Sequence, residues 1–390
     1  MPRNQTPARA RAGISLMFFT NGILFATLLP RYPEIKAALA LSNTAFGLAV
    51  VAFPTGAILA AGLSAPLMRR VGTRWVMSVG TPLIALLVYL AGTSHVVWLF
   101  AACMMLAGFT DSIVDAAQNV QGVLVEQWVG RSVINSLHAL WSLGATLGGV
   151  IGAWCASQHV SMGTMLLVNG LVWSASAVLS GSASQTPSSV VVADEETAGS
   201  TASGASGRAR RMLAPLIVLA ICGTLMEEVA NSWSALFMRG VLDAGPGLAG
   251  LGFTVMLGCQ FAGRLAGDPM TDRWGRESVA RMGGLVIIAG SALALMAPAP
   301  WVALVGFGFM GLGCATLVPA AFAAAAGVPG LPHGTGVAVM GWLMRIGFLI
   351  TSPVIGLIAD HVGLRWAMLV PLVAGIVAAS IAHSMARPVA

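Results

Sequence analysis

The sequence predicts an all-α membrane protein with twelve transmembrane helices. Of 390 residues, 57% are hydrophobic and 9% charged, and the mean hydropathy is +0.85. So little polar surface cannot cover a soluble globule of this length. A bilayer core needs roughly 20 mostly apolar residues per helix. The predicted spans are 14–30, 44–68, 75–93, 97–125, 133–156, 162–181, 213–237, 247–267, 279–297, 300–326, 335–359 and 364–385.

The first apolar run follows a basic N-terminus and also resembles a cleaved signal peptide. It ends in Pro30-Arg31-Tyr32-Pro33, without a small-residue cleavage site. We therefore expect it to remain as the first helix.

The net charge of +6 reports membrane topology. With a cytoplasmic N-terminus, most basic residues fall on the cytoplasmic side, and Arg264 and Arg345 fall within spans. This bias follows the positive-inside rule. It predicts a multi-pass protein of the cytoplasmic (inner) membrane with both termini in the cytoplasm, and no nucleic-acid partner.

Residues 182–211 divide the chain into two halves with six spans each. They are rich in Ser, Thr, Gly and Ala, which is typical of a flexible linker. We predict an N-terminal six-helix bundle at 1–181, a cytoplasmic linker at 182–211 and a C-terminal six-helix bundle at 212–390.

A similar loop follows the second span in each of the two halves. Each contains a glycine that permits a tight turn, with charges that can cap or bridge helices. The predicted cytoplasmic gate residues in these loops are Arg69, Arg70, Gly72 and Arg74, and Asp268, Asp272, Arg273, Gly275 and Arg276.

With these loops, the sequence resembles the major facilitator superfamily over essentially its whole length. The family signature is Gly-x-x-x-Asp-Arg-x-Gly-Arg-Arg. The second loop keeps Asp272, Arg273, Gly275 and Arg276, whereas the first has Arg69 in place of the aspartate. The resemblance implies two pseudo-symmetric six-helix bundles that rock around a central substrate site.

Three segments indicate a resemblance to one branch of this superfamily. Residues 115–119, 138–144 and 227–233 resemble the branch with fucose–proton symporters and rhizopine-transport-like permeases. In the fucose symporters, an acid matching Asp115 belongs to the proton-coupling machinery. A second acid, expected in span 1, is absent here, where Asn21 is the only strongly polar side chain.

Acidic residues inside the spans indicate proton coupling independently of the family resemblance. Asp111, Asp115 and Asn119 are spaced by four, as are Glu227 and Asn231, so each set is expected on one helix face. A charge at the bilayer centre costs on the order of 2.5–3.5 kcal/mol, so such groups need water, a counter-ion or a proton. Structural hydrogen bonding between helices is the alternative. The candidates for proton coupling are Asp115, Glu227, Asp111, Glu228 and His138.

Arg345 and His138 each allow two interpretations. Arg345, near the middle of span 11, neutralises a carboxylate or grips an anionic or hydroxyl-rich substrate, or else forms a structural ion pair. His138 relays protons or packs as a hydrogen-bonded side chain.

Polar and aromatic side chains within the spans suit a polyhydroxylated ligand. Tryptophan faces stack on sugar rings and amides supply donors and acceptors, although both also serve helix packing. The candidates for substrate binding are Asn21, Asn119, Gln118, Asn231, Trp141, Trp233 and Arg345. The glycines of span 5, such as Gly144 and Gly148, are expected to let helices approach closely.

No enzyme motif is present: there is no phosphate-binding loop, nucleophile elbow or His-Glu-x-x-His pair. We therefore expect no enzymatic activity, cofactor or metal. The predicted function is proton-coupled symport of a sugar- or cyclitol-like solute by a monomer in the lipid bilayer. The alternatives are a proton-driven exporter of drugs or metabolites and, in another class, a non-transporting membrane receptor or scaffold.

Overall fold

The structure, a computed structural model, describes residues 6–130, 133–187, 207–325, 328 and 335–385. Within these ranges it does not describe the side chains of residues 135, 207, 208, 210, 268, 335, 337 and 338. Every regular element in the described part is a helix, so the all-α prediction is confirmed. Most of the predicted linker lies outside the described residues.

The twelve predicted spans are confirmed among the described residues. Each segment is long and apolar enough to cross a membrane, by length and composition. Spans 1 to 6 are Pro7–Ala38, Asn43–Ala60, Thr73–Gly92, Val97–Val129, Ser136–Ser157 and Met162–Ala183. Spans 7 to 12 are Arg211–Leu242, Pro246–Gly267, Pro269–Met296, Pro300–Ala325, Val339–Val362 and Leu364–Met385.

Several spans are interrupted helices. Span 1 contains helices Pro7–Ala26 and Tyr32–Ala38, and span 2 contains Asn43–Val50 and Ala52–Ala60, followed by Ser64–Val71. Spans 10 to 12 contain Pro300–Cys314 with Leu317–Ala325, Thr335–Leu343 with Arg345–Val362, and Leu364–Ala367 with Leu369–Ile381.

Span 7 contains a π-helical turn. An α-helix ends at Glu228, the π turn covers Val229–Trp233, and a helix continues from Ser234 to Leu242. The wider π turn alters the α-helical periodicity that places Glu227 and Asn231 on one face. Such π turns inside α-helices are frequent at functional sites.

The two signature glycines form sharp turns, as predicted. Gly72 has φ 85° and Gly275 has φ 81°, a region that favours glycine. The loop around Gly275 is nevertheless helical on both sides, because one helical stretch runs over Pro246–Leu295 and breaks only at this glycine. The helix of span 8 therefore extends beyond the predicted end at residue 267.

The chain forms two compact units. The first covers Met1–Leu41, Leu48–Ala193 and Gly245–Thr254, and the second covers Ser42–Gly47, Asp194–Ala244 and Val255–Ala390, in each case for the residues described. The short segments Ser42–Gly47 and Gly245–Thr254 thus pack in a different unit from the chain that follows them.

Glycines bring spans 1 and 5 together in the first unit. A Cβ atom on Gly22 would lie 2.1 Å from the carbonyl oxygen of Trp141, and one on Gly144 would lie 2.3 Å from that of Phe19. Neither position has room for a side chain. The predicted close approach of span 5 to a neighbouring helix is confirmed. It places Trp141 of span 5 beside Asn21 of span 1.

Candidate functional site

Asn21 connects three helices of the first unit. Its Nδ2 donates a hydrogen bond of 2.9 Å to Oδ1 of Asp111 in span 4. Its Oδ1 accepts one of 2.8 Å from Nε1 of Trp141 in span 5. All three side chains are half-buried. The structure therefore brings together three predicted residues, each from a different span.

Asp115 and Asn119 lie further along span 4. The Nδ2 atom of Asn119 donates to the carbonyl oxygen of Asp115 at 2.9 Å and to its Oδ1 at 3.2 Å. Asp115 is exposed and Asn119 half-buried. These two hydrogen bonds stay within one helix.

Gln118 and His138 contact span 1. Gln118 is fully buried and donates from Nε2 to the carbonyl oxygen of Met17 at 3.4 Å. The exposed His138 packs edge-on against Phe18, with ring centroids 5.3 Å apart. Gln118 thus contributes to helix packing in this structure.

Glu227 is ion-paired within the membrane-spanning region of the second unit. Its Oε1 accepts a hydrogen bond of 2.7 Å from Nη2 of Arg264 and one of 2.8 Å from Nε2 of Gln260. The side chains of Arg264 and Glu227 are 33% and 26% exposed. This is a partly accessible ion pair between spans 7 and 8.

Sequence reasoning gave Arg264 no role. The predicted end of span 8 at residue 267 places Arg264 near a membrane surface, and the span of the structure, Pro246–Gly267, ends at the same residue. Gln260 and Arg264 are four residues apart, so they share a helix face. The spacing of Gln260 and Arg264 is the sequence feature that could have indicated a shared polar site on span 8.

Glu228 occupies a different environment from its neighbour. It is 6% exposed, and its Oε1 accepts hydrogen bonds from Oγ of Ser232, at 2.6 Å, and from Oγ of Ser352 in span 11. The same Ser352 hydroxyl accepts a bond of 2.9 Å from Nε1 of Trp233. Trp233 is fully buried and packs edge-on against Phe46, so it serves packing here.

Asn231 and Arg345 remain predictions as substrate-binding residues. Both are half-buried, and Arg345 begins the helix Arg345–Val362. The cation on Glu227 in this structure is Arg264.

The predicted gate loops are largely exposed. In the loop after span 2, Arg74 lies over the ring of Trp75 at 5.2 Å. In the loop after span 8, Asp272 and Arg273 are exposed and Arg276 is half-buried. Arg69 and Arg70 are also exposed. The side chain of Asp268 lies outside the described residues.

Sequence comparison decides the family. The family model described as "Major Facilitator Superfamily" matches residues 14–226 and again residues 216–388, once for each half. The chain belongs to the major facilitator superfamily. As a member it is a multi-pass membrane transporter, and the prediction that it is not an enzyme is confirmed.

Known transporters resemble most of the chain. "Uncharacterized transporter y4wD" of Sinorhizobium fredii (strain NBRC 101917 / NGR234) is 28% identical over 376 residues, which cover 94% of each protein. The crystal structure of the nucleoside transporter NupG has a TM-score of 0.72 and 13% identity, covering 97% of this chain and 98% of that one. The superfamily transporter FucP, in the outward conformation, has a TM-score of 0.62 and 18% identity, covering 97% and 98%. These two structures support the predicted superfamily fold.

Proposed function

We propose that this superfamily transporter is a secondary active carrier that moves a small polar solute together with protons. The solute is sugar- or cyclitol-like, and its site lies near mid-membrane. The halves 1–181 and 212–390 open the site alternately to the two sides of the cytoplasmic membrane. Both termini lie in the cytoplasm, which the distribution of basic residues supports, and the chain acts as a monomer.

The ion pair between Glu227 and Arg264 carries this proposal. An arginine stays protonated at all accessible pH values, whereas a carboxylate can take up a proton. Protonation of Glu227 removes the counter-charge of Arg264 inside a span, where an unpaired charge is costly. The protonated and deprotonated states therefore favour different surroundings for these two helices. That difference is what coupling of a proton to a conformational change requires.

Partial exposure of the pair supports a role beyond structure. About a quarter to a third of each side chain is accessible, which leaves Glu227 open to a proton wherever this surface faces water. A dry, fully enclosed ion pair would offer no such path. Glu227 is accordingly the principal coupling residue.

The first unit contributes a second acidic group. Asp115 is exposed on span 4, and Asp111 is held by Asn21. We assign coupling to Asp115 together with Glu227. Asp111, Glu228 and His138 are secondary candidates, because helix packing also explains the hydrogen bond of Asp111 to Asn21, the burial of Glu228 and the contact of His138 with Phe18.

Half-buried polar groups are suited to a hydroxyl-rich solute. Asn119, Asn231, Trp141 and Arg345 each keep some accessible surface. Amide and guanidinium groups hydrogen-bond hydroxyls, and an indole face covers the apolar side of a sugar ring. Sugars and cyclitols therefore come first in a substrate screen. Nucleosides are included because NupG is a nucleoside transporter, although its identity of 13% supports only a common fold.

The test is transport by the purified protein in liposomes. A panel of radiolabelled monosaccharides, cyclitols and nucleosides is offered with and without an imposed pH gradient. We expect one solute class to accumulate only with the gradient. Accumulation should be lost in Glu227→Gln and Asp115→Asn, and retained in the control Asp243→Asn, which changes an exposed carboxylate at a helix end.

Four outcomes would oppose the proposal. Accumulation of solute by the parent without the gradient, or parental gradient-driven accumulation by both variants, contradicts the assigned coupling. Solute movement against the proton flow identifies an exporter instead. Binding of a solute without any flux identifies a receptor.

A further inference from the structure

The start of span 2 packs against the end of span 11 within the second unit. Residues 42–47, called here the docking segment, belong to this unit although the chain returns to the first unit at Leu48. A Cβ atom on Gly356 would lie 2.4 Å from the carbonyl oxygen of Asn43. One on Gly47 would lie 2.3 Å from that of Ser352. The two backbones thus approach as closely as glycine allows.

A single carboxylate holds the docking segment at its tip. Asp360 accepts the backbone N–H of Asn43 through Oδ1 at 2.9 Å and that of Thr44 through Oδ2 at 2.8 Å. These N–H groups begin the helix Asn43–Val50, where they have no partner within the helix. A negative charge is favoured at that end by the helix dipole.

Aromatic packing completes the contact. Phe46 is fully buried and meets Trp233 edge-on, with ring centroids 5.8 Å apart and an interplanar angle of 88°. The hydroxyl of Ser352 also accepts a hydrogen bond from the indole nitrogen of Trp233. A segment of six residues is therefore held by a charge at one end and a buried ring near the other.

The loop after span 11 has the same order of an aspartate and a glycine as the loop after span 8. Asp360 precedes Gly363, with φ 96°, by three residues, as Asp272 precedes Gly275, with φ 81°. Because successive spans cross the membrane in opposite directions, the loop after span 11 lies on the membrane face opposite the loop after span 8. The predicted gate loops around Gly72 and Gly275 thus have a counterpart on the other face.

From this geometry we propose that Asp360 is a latch that keeps the transport path closed on the face opposite the Gly72 and Gly275 loops. The docking segment is seated in this structure and leaves Asp360 when that face opens. The proposal rests on the alternating access of the proposed function. It assigns a conformational role to Asp360, Phe46 and Gly356, which lie outside the predicted gate.

The test measures accessibility of the docking segment. In a variant whose five cysteines are replaced by alanine, Ala45→Cys introduces one half-buried thiol. The labelling rate of this thiol by a hydrophilic maleimide is measured in nanodiscs, where both faces are open to the reagent. Asp360→Asn removes the charge and keeps the side-chain volume. Asparagine retains one acceptor oxygen, so this variant loses the charge at the helix end and one of the two hydrogen bonds, and the labelling rate should rise about fivefold.

The matched control is Asp243→Asn. Asp243 is an exposed aspartate after span 7, on the same face as Asp360 by the alternation of spans, and asparagine tolerates its left-handed φ of 49°. This variant should label at the parental rate. An unchanged rate in Asp360→Asn, or an equal rise in both variants, overturns the latch.

A second variant covers the case in which Asp360→Asn is not recovered from membranes. Gly356→Ala places a methyl group against the backbone of Asn43 and should also raise labelling at Ala45→Cys. A parental rate in that variant would then overturn the proposal. Because labelling requires neither substrate nor a proton gradient, its result is independent of whether proton coupling itself is correct.

Discussion

Arg264 donates a hydrogen bond of 2.7 Å to the carboxylate of Glu227 between two membrane-spanning helices of the second unit. Gln260 donates to the same carboxylate oxygen at 2.8 Å. Span 8 therefore directs an amide and a cation, four residues apart, at one acid of span 7. In the proposed mechanism, a proton bound at Glu227 would remove the counter-charge of this cation.

Removing either partner of this pair should cost more stability than removing both. Glu227→Gln or Arg264→Gln leaves one charge unpaired, with an expected loss of about 1–3 kcal/mol, reduced by the partial exposure of the pair. The double variant leaves no charge. Thermal unfolding of the four proteins in detergent gives the coupling energy. Strictly additive losses would contradict an energetic link between the two side chains.

Asn21 should contribute to stability through both of its hydrogen bonds. Asn21→Leu leaves Asp111 and Trp141 without their shared partner, and we expect a loss of about 2 kcal/mol. Trp141→Phe breaks one of the two bonds and should cost about half as much. Asn119→Leu is the matched amide control, because its two hydrogen bonds stay within span 4. Chemical or thermal unfolding should rank the losses in this order, and an equal loss in Asn119→Leu would refute the role of Asn21 as a connector.

Close packing of spans 1 and 5 should not tolerate a methyl group at Gly22. Its Cβ would lie 2.1 Å from a backbone oxygen, so Gly22→Ala must separate the two helices. We expect a strong reduction of folded protein in membranes, measured by fluorescence-detected size-exclusion chromatography. Gly62→Ala is the control, since nothing lies within 4 Å of the added atom. Normal yield of Gly22→Ala would show that this contact is not tight.

The fold was largely predictable because spans and turns depend on local properties. Apolar runs of sufficient length define the twelve spans, and the glycines at 72 and 275 adopt the positive φ values expected from their loops. The role of Arg264 was not predictable in this way. The sequence places Arg264 near the end of span 8, and its pairing with Glu227, 37 residues away, depends on tertiary packing.

The candidate site was predictable as a set of residues but not as a set of contacts. Asn21, Asp111 and Trp141 were each singled out for their polarity inside apolar spans. Their hydrogen bonds to one another join positions 90 and 120 residues apart, which only tertiary packing determines. The partner of Glu228 on span 11, Ser352, is 124 residues away and has no local sequence signal. The π turn after Glu228 likewise breaks the periodicity on which facial predictions depend.

Proton movement driven by substrate tests the central claim most directly. Liposomes containing the protein and a trapped pH-sensitive dye are given the transported solute without any imposed gradient. The parent protein should acidify the lumen as solute enters, whereas Glu227→Gln should admit solute without a change in pH. A proton-to-solute ratio in Glu227→Gln equal to that of the parent would contradict the assignment of Glu227 as the coupling residue.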